Sequence, residues 1–236
     1  MLVIYFENLS YLKSIFNSLS GVDTCSVECY KKDNEKYVIF HALNTLNTTY
    51  FNFKVTNLNI SEPTHTKINL DLKKFNSCLQ KVQGNKLMFV ITPGYLDISG
   101  YINNLMFSIE TEVFNPIFDT FEKNIIPDVQ IKVNSDAWFT MSNAGSGNVK
   151  INVSDCLRIE SQGSKCILNN ESGMTIKTLN KIIKSDNVYD STYFNILGNE
   201  NKSLNLYFTN KNNLMILHHI IPNEARLCIT FTCLSE

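Results

Sequence analysis

The chain has 236 residues and is poor in arginine, in surplus charge of either sign and in long apolar runs. Its 21 basic and 22 acidic side chains leave a formal charge of -1, which excludes a globally basic nucleic-acid binder. Charged residues reach only 18% against 44% hydrophobic ones, so intrinsic disorder is excluded as well. The first apolar run, Leu2 to Phe6, stops at Glu7 and Asn8, and no later run approaches membrane-spanning length. A soluble intracellular protein without a secretory signal is expected. Seven cysteines (Cys25, Cys29, Cys78, Cys156, Cys166, Cys228, Cys233) form no CxxC pair, and His41, His65, His218 and His219 are not placed around them at zinc spacing. Reduced, mostly buried thiols and no metal site are expected.

Catalytic signatures are also missing. There is no GxSxG, HExxH, GxxxxGK[ST] or GxGxxG, and no paired acids fall on a predicted loop, so neither an enzyme nor a cofactor is expected. Gly145 to Gly147 reads as a turn. His218 and His219 in an alternating strand would point to opposite faces, as structural or surface residues.

What is present is lysine, asparagine and isoleucine, the signature of an AT-rich genome, viral or eukaryotic. Nineteen lysines stand against Arg158 and Arg226. β-branched and aromatic runs bounded by Asn, Gly and Ser predict strands at Tyr37 to Phe40, Tyr50 to Val55, Leu87 to Ile91, Asn104 to Ile109, Val149 to Val153, Leu204 to Phe208 and Leu227 to Thr232. Helical spacing of Leu72, Phe75, Leu79 and Val82 predicts a helix over Asp71 to Gln83, capped by Asp71 and ended by Gly84. A second is expected from about Leu9 to Leu19, ended by Gly21, and two weaker ones after Ser135 and Asp190.

These helices expose an internal repeat. Asn8 to Gly21 matches Asn134 to Gly147 at an offset of 126, and Asp71, Phe75 and Asn76 match Asp190, Phe194 and Asn195 at 119. The second offset runs on from Leu87 and Phe89 to Leu206 and Phe208, and from Leu96 and Ile98 to Met215 and Leu217. Two half-chains follow, 1–113 and 129–236, each ordered helix, strands, helix, strands. The connector 114–128 contains Pro116 and Pro127, which favour extended backbone. It also contains Ile117, Phe118 and Ile126, too apolar for a free linker.

Charge is missing in one informative place. The four predicted helix bodies hold Lys13, Lys73, Lys74 and Lys81 and no acid, where the chain-wide frequency would give about four acids. Their other polar residues are Ser, Asn, Thr and Gln. An acid-free face in a balanced protein suits a polyanion.

This pattern resembles the sliding DNA clamps of the proliferating cell nuclear antigen type over nearly the whole chain. Asn8 to Gly21 is similar to that family's first helix, Tyr37 to Val55 to its hairpin region, Ile68 to Val82 to its strand-into-helix, and Asn124 to Val133 to the end of its connector. The C-terminal segment from Leu214 resembles the last hairpin of replication clamps and checkpoint-clamp subunits. Asn44-Thr45-Leu46-Asn47 departs from the acidic-Ser-Ser-His stretch of many members. The resemblance implies an α+β fold of two similar clamp domains, each with two helices packed on antiparallel sheets. It implies a processivity factor encircling duplex DNA without sequence preference and tethering a DNA polymerase or other clamp-binding proteins. Lys13, Lys73, Lys74 and Lys81 would face the DNA, at the nucleus or a viral replication site. Subunits would join, as a homomeric or heteromeric trimer, through a strand at Asn104 to Thr111 (Leu105, Phe107, Ile109) and one at Lys165 to Asn170. Partner peptides would dock on Leu43, Leu46, Ile117, Phe118, Ile126, Ile221 and Pro222. Alternatives are a checkpoint-clamp subunit, a viral clamp-like late transcription factor, and a DNA-independent β-rich structural protein.

Overall fold

The computed structural model describes residues 1–7, 10–19, 21–32, 34–56, 58–61, 64–84, 86–102, 105–114, 126–143, 147–161, 163–179, 185–196, 203–209, 213–221 and 224–234. The chain divides into two compact units. The first comprises Met1–Thr45, Asn52–Phe121 and Ile221–Arg226, and the second Leu46–Phe51, Glu122–Ile220 and Leu227–Glu236.

The first unit runs β1 (Leu2–Phe6), α1 (Ser10–Ser18), β2 (Thr24–Lys32), β3 (Glu35–Leu43), β4 (Thr49–Thr56), β5 (Asn59–Ile60), β6 (Thr64–Asp71), α2 (Leu72–Lys81), β7 (Lys86–Thr92), β8 (Tyr95–Ile102) and β9 (Leu105–Phe114). The second runs β10 (Pro127–Asn134), α3 (Ser135–Asn143), β11 (Asn148–Val153), β12 (Leu157–Ser161), β13 (Ser164–Leu168), β14 (Thr175–Thr178), β15 (Ser185–Asp190), β16 (Ser203–Thr209), β17 (Leu214–Ile221) and β18 (Ala225–Phe231). Strand order is β4-β3-β2-β6 and β9-β8-β7-β1-β5 in the first, and β13-β12-β11-β15 and β18-β17-β16-β10-β14 in the second. The two orders are the same list under translation, so the sequence repeat is a repeat of topology. The connector's ends are strand rather than linker: Phe114 closes β9, and Pro127 and Asp128 open β10.

Alternation builds both cores. In β4 every second side chain from Thr49 is buried, and in β7 Leu87, Phe89 and Ile91 are. Helix α1 buries Leu12, Ile15 and Phe16, and α2 buries Leu72, Phe75 and Leu79. Phe16 packs edge-on against Phe40 and Phe75, each at 5.0 Å between ring centres. In the second unit Trp138 of α3 lies 5.4 Å from Phe194, which meets Phe231 at 4.8 Å. None of the seven cysteines is in a disulfide, but only Cys25 and Cys29 are fully buried. Burial pushes the Cys29 thiol up to about 12, with Glu28 adding to the rise. The other five are half-buried, a departure from the expected burial.

Two expectations fail in the second unit. The segment after Asp190 is a turn, not a fourth helix, across the described residues Ser191 to Ile196. Asp71 caps α2 by accepting from the amide of Lys74, three residues on, at 2.9 Å. Asp190 instead accepts from the amide and hydroxyl of Thr192, two residues on, at 2.9 and 2.5 Å, which closes a tight local turn. The amide and hydroxyl of Ser191 both donate to Gly147 O, and the Phe194 amide reaches back only to Ser191 O. Straight-chain Leu, Lys and Gln fill α2, whereas Ser-Thr-Tyr-Phe-Asn is a weak helix former. The 119 offset also fails in β17, where Leu214 and Ile216 are buried and Met215 and Leu217 are half-buried. Leu87 pairs with Gly100, so at this offset Leu206 should pair with position 219, but it pairs with Ile216; the register differs by three residues, an odd number, which exchanges the two faces.

One glycine marks where α2 ends. A Cβ on Gly100 of β8 would stand 2.3 Å from Val82 Cγ1 and 2.4 Å from Gln83 O. Gly100 pairs with Leu87, which pairs with Phe6 of β1. In the second unit Val133 pairs with Leu204, and the Leu206 to Ile216 pairing carries His218 opposite Leu204 two residues on. His218 is buried, and neither ring nitrogen has a hydrogen-bond partner among the described residues.

Candidate nucleic-acid interface

The exposed surface of α1 and α2 consists of Ser10, Ser14, Asn17, Lys73, Lys74, Ser77, Gln80 and Lys81, with no acid. Lys74, Ser77 and Lys81 share one stripe by their three- and four-residue spacing. Lys74 and Lys81 are about 10 Å apart along the axis at ~1.5 Å per residue.

The four lysines differ in what their ammonium groups do. Lys13 Nζ donates to Val82 O at 2.5 Å and Gln80 O at 3.3 Å, and Gln80 Nε2 returns a bond to Lys13 O at 3.1 Å. It thus satisfies carbonyls at the C-terminal end of α2, where the helix dipole favours a cation. Lys73 pairs with Asp23 at 2.8 Å on the surface, and its pKa is raised, first by the hydrogen bond to Asp23 and then by that residue's charge. Both side chains are more than half exposed, so the pair opens readily to a competing anion. Lys74 and Lys81 are exposed on the stripe. Sequence periodicity finds these positions but not their partners, since Lys13 and Gln80 are 67 residues apart.

The corresponding surface of the second unit differs. Helix α3 begins at Ser135, two residues before the expected acid-free body at Ala137, and includes Asp136 in its first turn, so it is not acid-free. Asn134 caps it, accepting from the amides of Asp136 and Ala137. Asn195 of the turn donates to Asn143 Oδ1 at 2.7 Å and accepts from Ser142 Oγ. Trp138 Nε1 donates to Phe194 O at 3.2 Å. Apart from the exposed Asp136 this surface is amide and hydroxyl, with no lysine on α3 or on Ser191 to Ile196.

Leu105, Phe107 and Ile109 lie in β9, paired with Ile102, Gly100 and Ile98 of β8. On its other side β9 pairs with β6 only at Val113 and Phe114, so Leu105 to Glu112 present an open backbone edge among the described residues. Among the described residues strand β13 pairs only with β12 and is likewise an edge, with Ile167 49% exposed on it. Of the docking residues, Leu46 is 72% exposed, Ile126 is 60% exposed and Leu43 is half-buried. Ile117, Phe118, Pro222 and the side chain of Ile221 fall outside the described residues. Among the described residues no group of three or more His, Cys, Asp or Glu is placed to hold a metal, and no helix is long and apolar enough to cross a membrane.

No family model and no curated protein matches the sequence. Solved structures do match the fold over the full length of both chains. PCNA from Thermococcus kodakaraensis superposes with a TM-score of 0.81 at 13% identity, over 99% of this chain and 100% of that one. A chain of the PCNA2-PCNA3 complex from Sulfolobus tokodaii gives 0.77 at 12% identity, over 99% and 100%. The chain has the sliding-clamp fold of the PCNA type.

Proposed function

We propose that the chain is one subunit of a ring that surrounds duplex DNA, slides on it and tethers a polymerase or other DNA-acting proteins. The observation that carries this reading is the full-length clamp fold, with its repeated topology, in a chain whose α1 and α2 expose lysine and neutral polar groups only. Encirclement removes the need for tight base contacts, so a few phosphate contacts per subunit suffice, and their salt sensitivity permits sliding. Lys73, Lys74 and Lys81 make those contacts, and Lys13 adds its charge while fixing the end of α2. Such a protein performs no chemistry. The two open edges, β9 around Leu105, Phe107 and Ile109 and β13 around Ile167, join neighbouring subunits of a trimer by strand addition. The connector 114–128 separates the domains, and Leu46 and Ile126, with Leu43, Ile117, Phe118, Ile221 and Pro222, receive apolar side chains of partner peptides. The site of action is intracellular, at the nucleus or a viral replication centre.

A heteromeric ring, as in a checkpoint clamp, is the second reading. It is favoured by one of the similar structures being a complex of two different clamp chains. Retention on DNA tests the ring: protein loaded on a closed circular plasmid is expected to stay through a salt wash and to leave when the plasmid is linearised. Equal retention on both forms would remove encirclement. The double variant Lys74→Glu, Lys81→Glu is expected to abolish retention with the fold intact, because exposed polar positions tolerate substitution. Mass in solution, alone and with candidate partner subunits, separates the homomeric from the heteromeric ring.

A further inference from the structure

In the first unit a cavity of about 420 Å³ opens between the end of β1, the start of α1, the end of β4 and the turn before β18. Its volume is that of a small-ligand pocket. The floor is apolar, made by the buried Phe6, Val55 and Leu58. Two tyrosines, Tyr5 at 43% exposure and the half-buried Tyr11, form aromatic walls. The rim carries two carboxylates, Glu7 and Glu224, against one ammonium, Lys86. Neither carboxylate is in an ion pair among the described residues, whereas the exposed Lys73, Lys150 and Lys165 all are.

The rim is held in place. Glu224 O accepts from the Thr56 amide at 2.7 Å and from the Thr56 hydroxyl at 3.2 Å, which anchors the Glu224 turn to the end of β4. The aromatic wall stays uncharged, because burial and then the charge of Glu224 push the Tyr11 phenol up to about 12. A net negative rim repels phosphate, so this cavity is not part of the DNA surface. An aromatic box with an apolar floor and acids at its mouth suits a cation that is planar and weakly hydrated. That description fits a guanidinium, which stacks on rings and bonds carboxylates with its fork of N–H donors, better than a strongly hydrated ammonium.

We propose that this cavity binds a guanidinium group, presented as the arginine side chain of a partner peptide. The idea is independent of ring closure, since every wall residue named belongs to one unit of one chain.

Amide NMR titration with the blocked tripeptide acetyl-Gly-Arg-Gly-amide tests it, with the citrulline tripeptide as an uncharged counterpart of the same shape. Saturable shifts are expected at Tyr11, Val55 and Thr56, with the citrulline peptide weaker by about tenfold or more, the size of one desolvated cation–aromatic contact. The Glu7→Gln, Glu224→Gln protein should lose the same factor while the rest of its spectrum superposes on the parent. Equal binding of both peptides, shifts unchanged in the variant, or no saturable shift at millimolar peptide would each overturn the proposal. A parallel titration with the lysine tripeptide reads the preference, and a lysine peptide binding as tightly as arginine would overturn the guanidinium assignment.

Discussion

The two units share strand order, sheet division and the place of their first helix, yet among the described residues the second helix exists in only one of them. Phe75 sits in α2 and Phe194 in a turn, and both are buried, against Phe16 and against Trp138. Topology and core are thus held by apolar side chains at sheet positions, while the backbone around a buried ring can be helical or not. Local hydrogen bonding decides which: an Asp that caps three residues on starts a helix, and one that folds back on the second residue does not.

Truncating the two rings gives the largest test. Phe75→Ala should cost about 3 to 5 kcal/mol, and Phe194→Ala should fall at the lower end, near 3, because no helix is lost with it. Denaturant titration checks both, and equal values would show that α2 adds nothing beyond its ring. Next comes the titration of His218. Burial first, and His219 second, lower its pKa from 6.5 to about 4. The unfolded chain therefore binds the proton more readily between these values. The stability is complete above about pH 6.5 and declines as pH falls toward 4, by at most about 3 kcal/mol. Melting curves across this range should show the decline, and His218→Leu should flatten it. A slope unchanged in the variant would place the titration elsewhere.

A smaller effect is expected where α1 holds α2. Lys13→Met should lower stability by about 1 to 2 kcal/mol, since the carbonyls of Gln80 and Val82 lose a charged donor. If DNA retention falls while melting does not move, Lys13 serves the duplex and not the helix end. Smallest is the cap itself. Asp71→Ala should cost about 1 kcal/mol and fray α2 by amide exchange, with Asp71→Asn close to neutral.

Much of this was legible in the residues. Alternation located the strands, and Leu72, Phe75 and Leu79 with Asp71 located α2, because a buried stripe and a cap are local signals. The fourth helix was misread because Asp190, Phe194 and Asn195 repeat the markers of α2 without its helix-forming filler. The offset into β17 was misread because register depends on how the strands pair, which identity matching cannot weigh. At the candidate interface, the lysine positions were legible and their engagements were not. Asp23 lies 50 residues from Lys73, and the Val82 carbonyl 69 from Lys13, so only tertiary packing brings them together. The guanidinium cavity had no sequence signal, its acids coming from opposite ends of the chain.

Gly100 carries a consequence for how the first unit can vary. The end of α2 fills the space over β8, and the strand beneath must be bare, since even a Cβ at this position would meet Val82 Cγ1 at 2.3 Å and the Gln83 carbonyl at 2.4 Å. A side chain at 100 would have to push back the Gln83 backbone and with it the end of α2, so strand and helix end can change here only together.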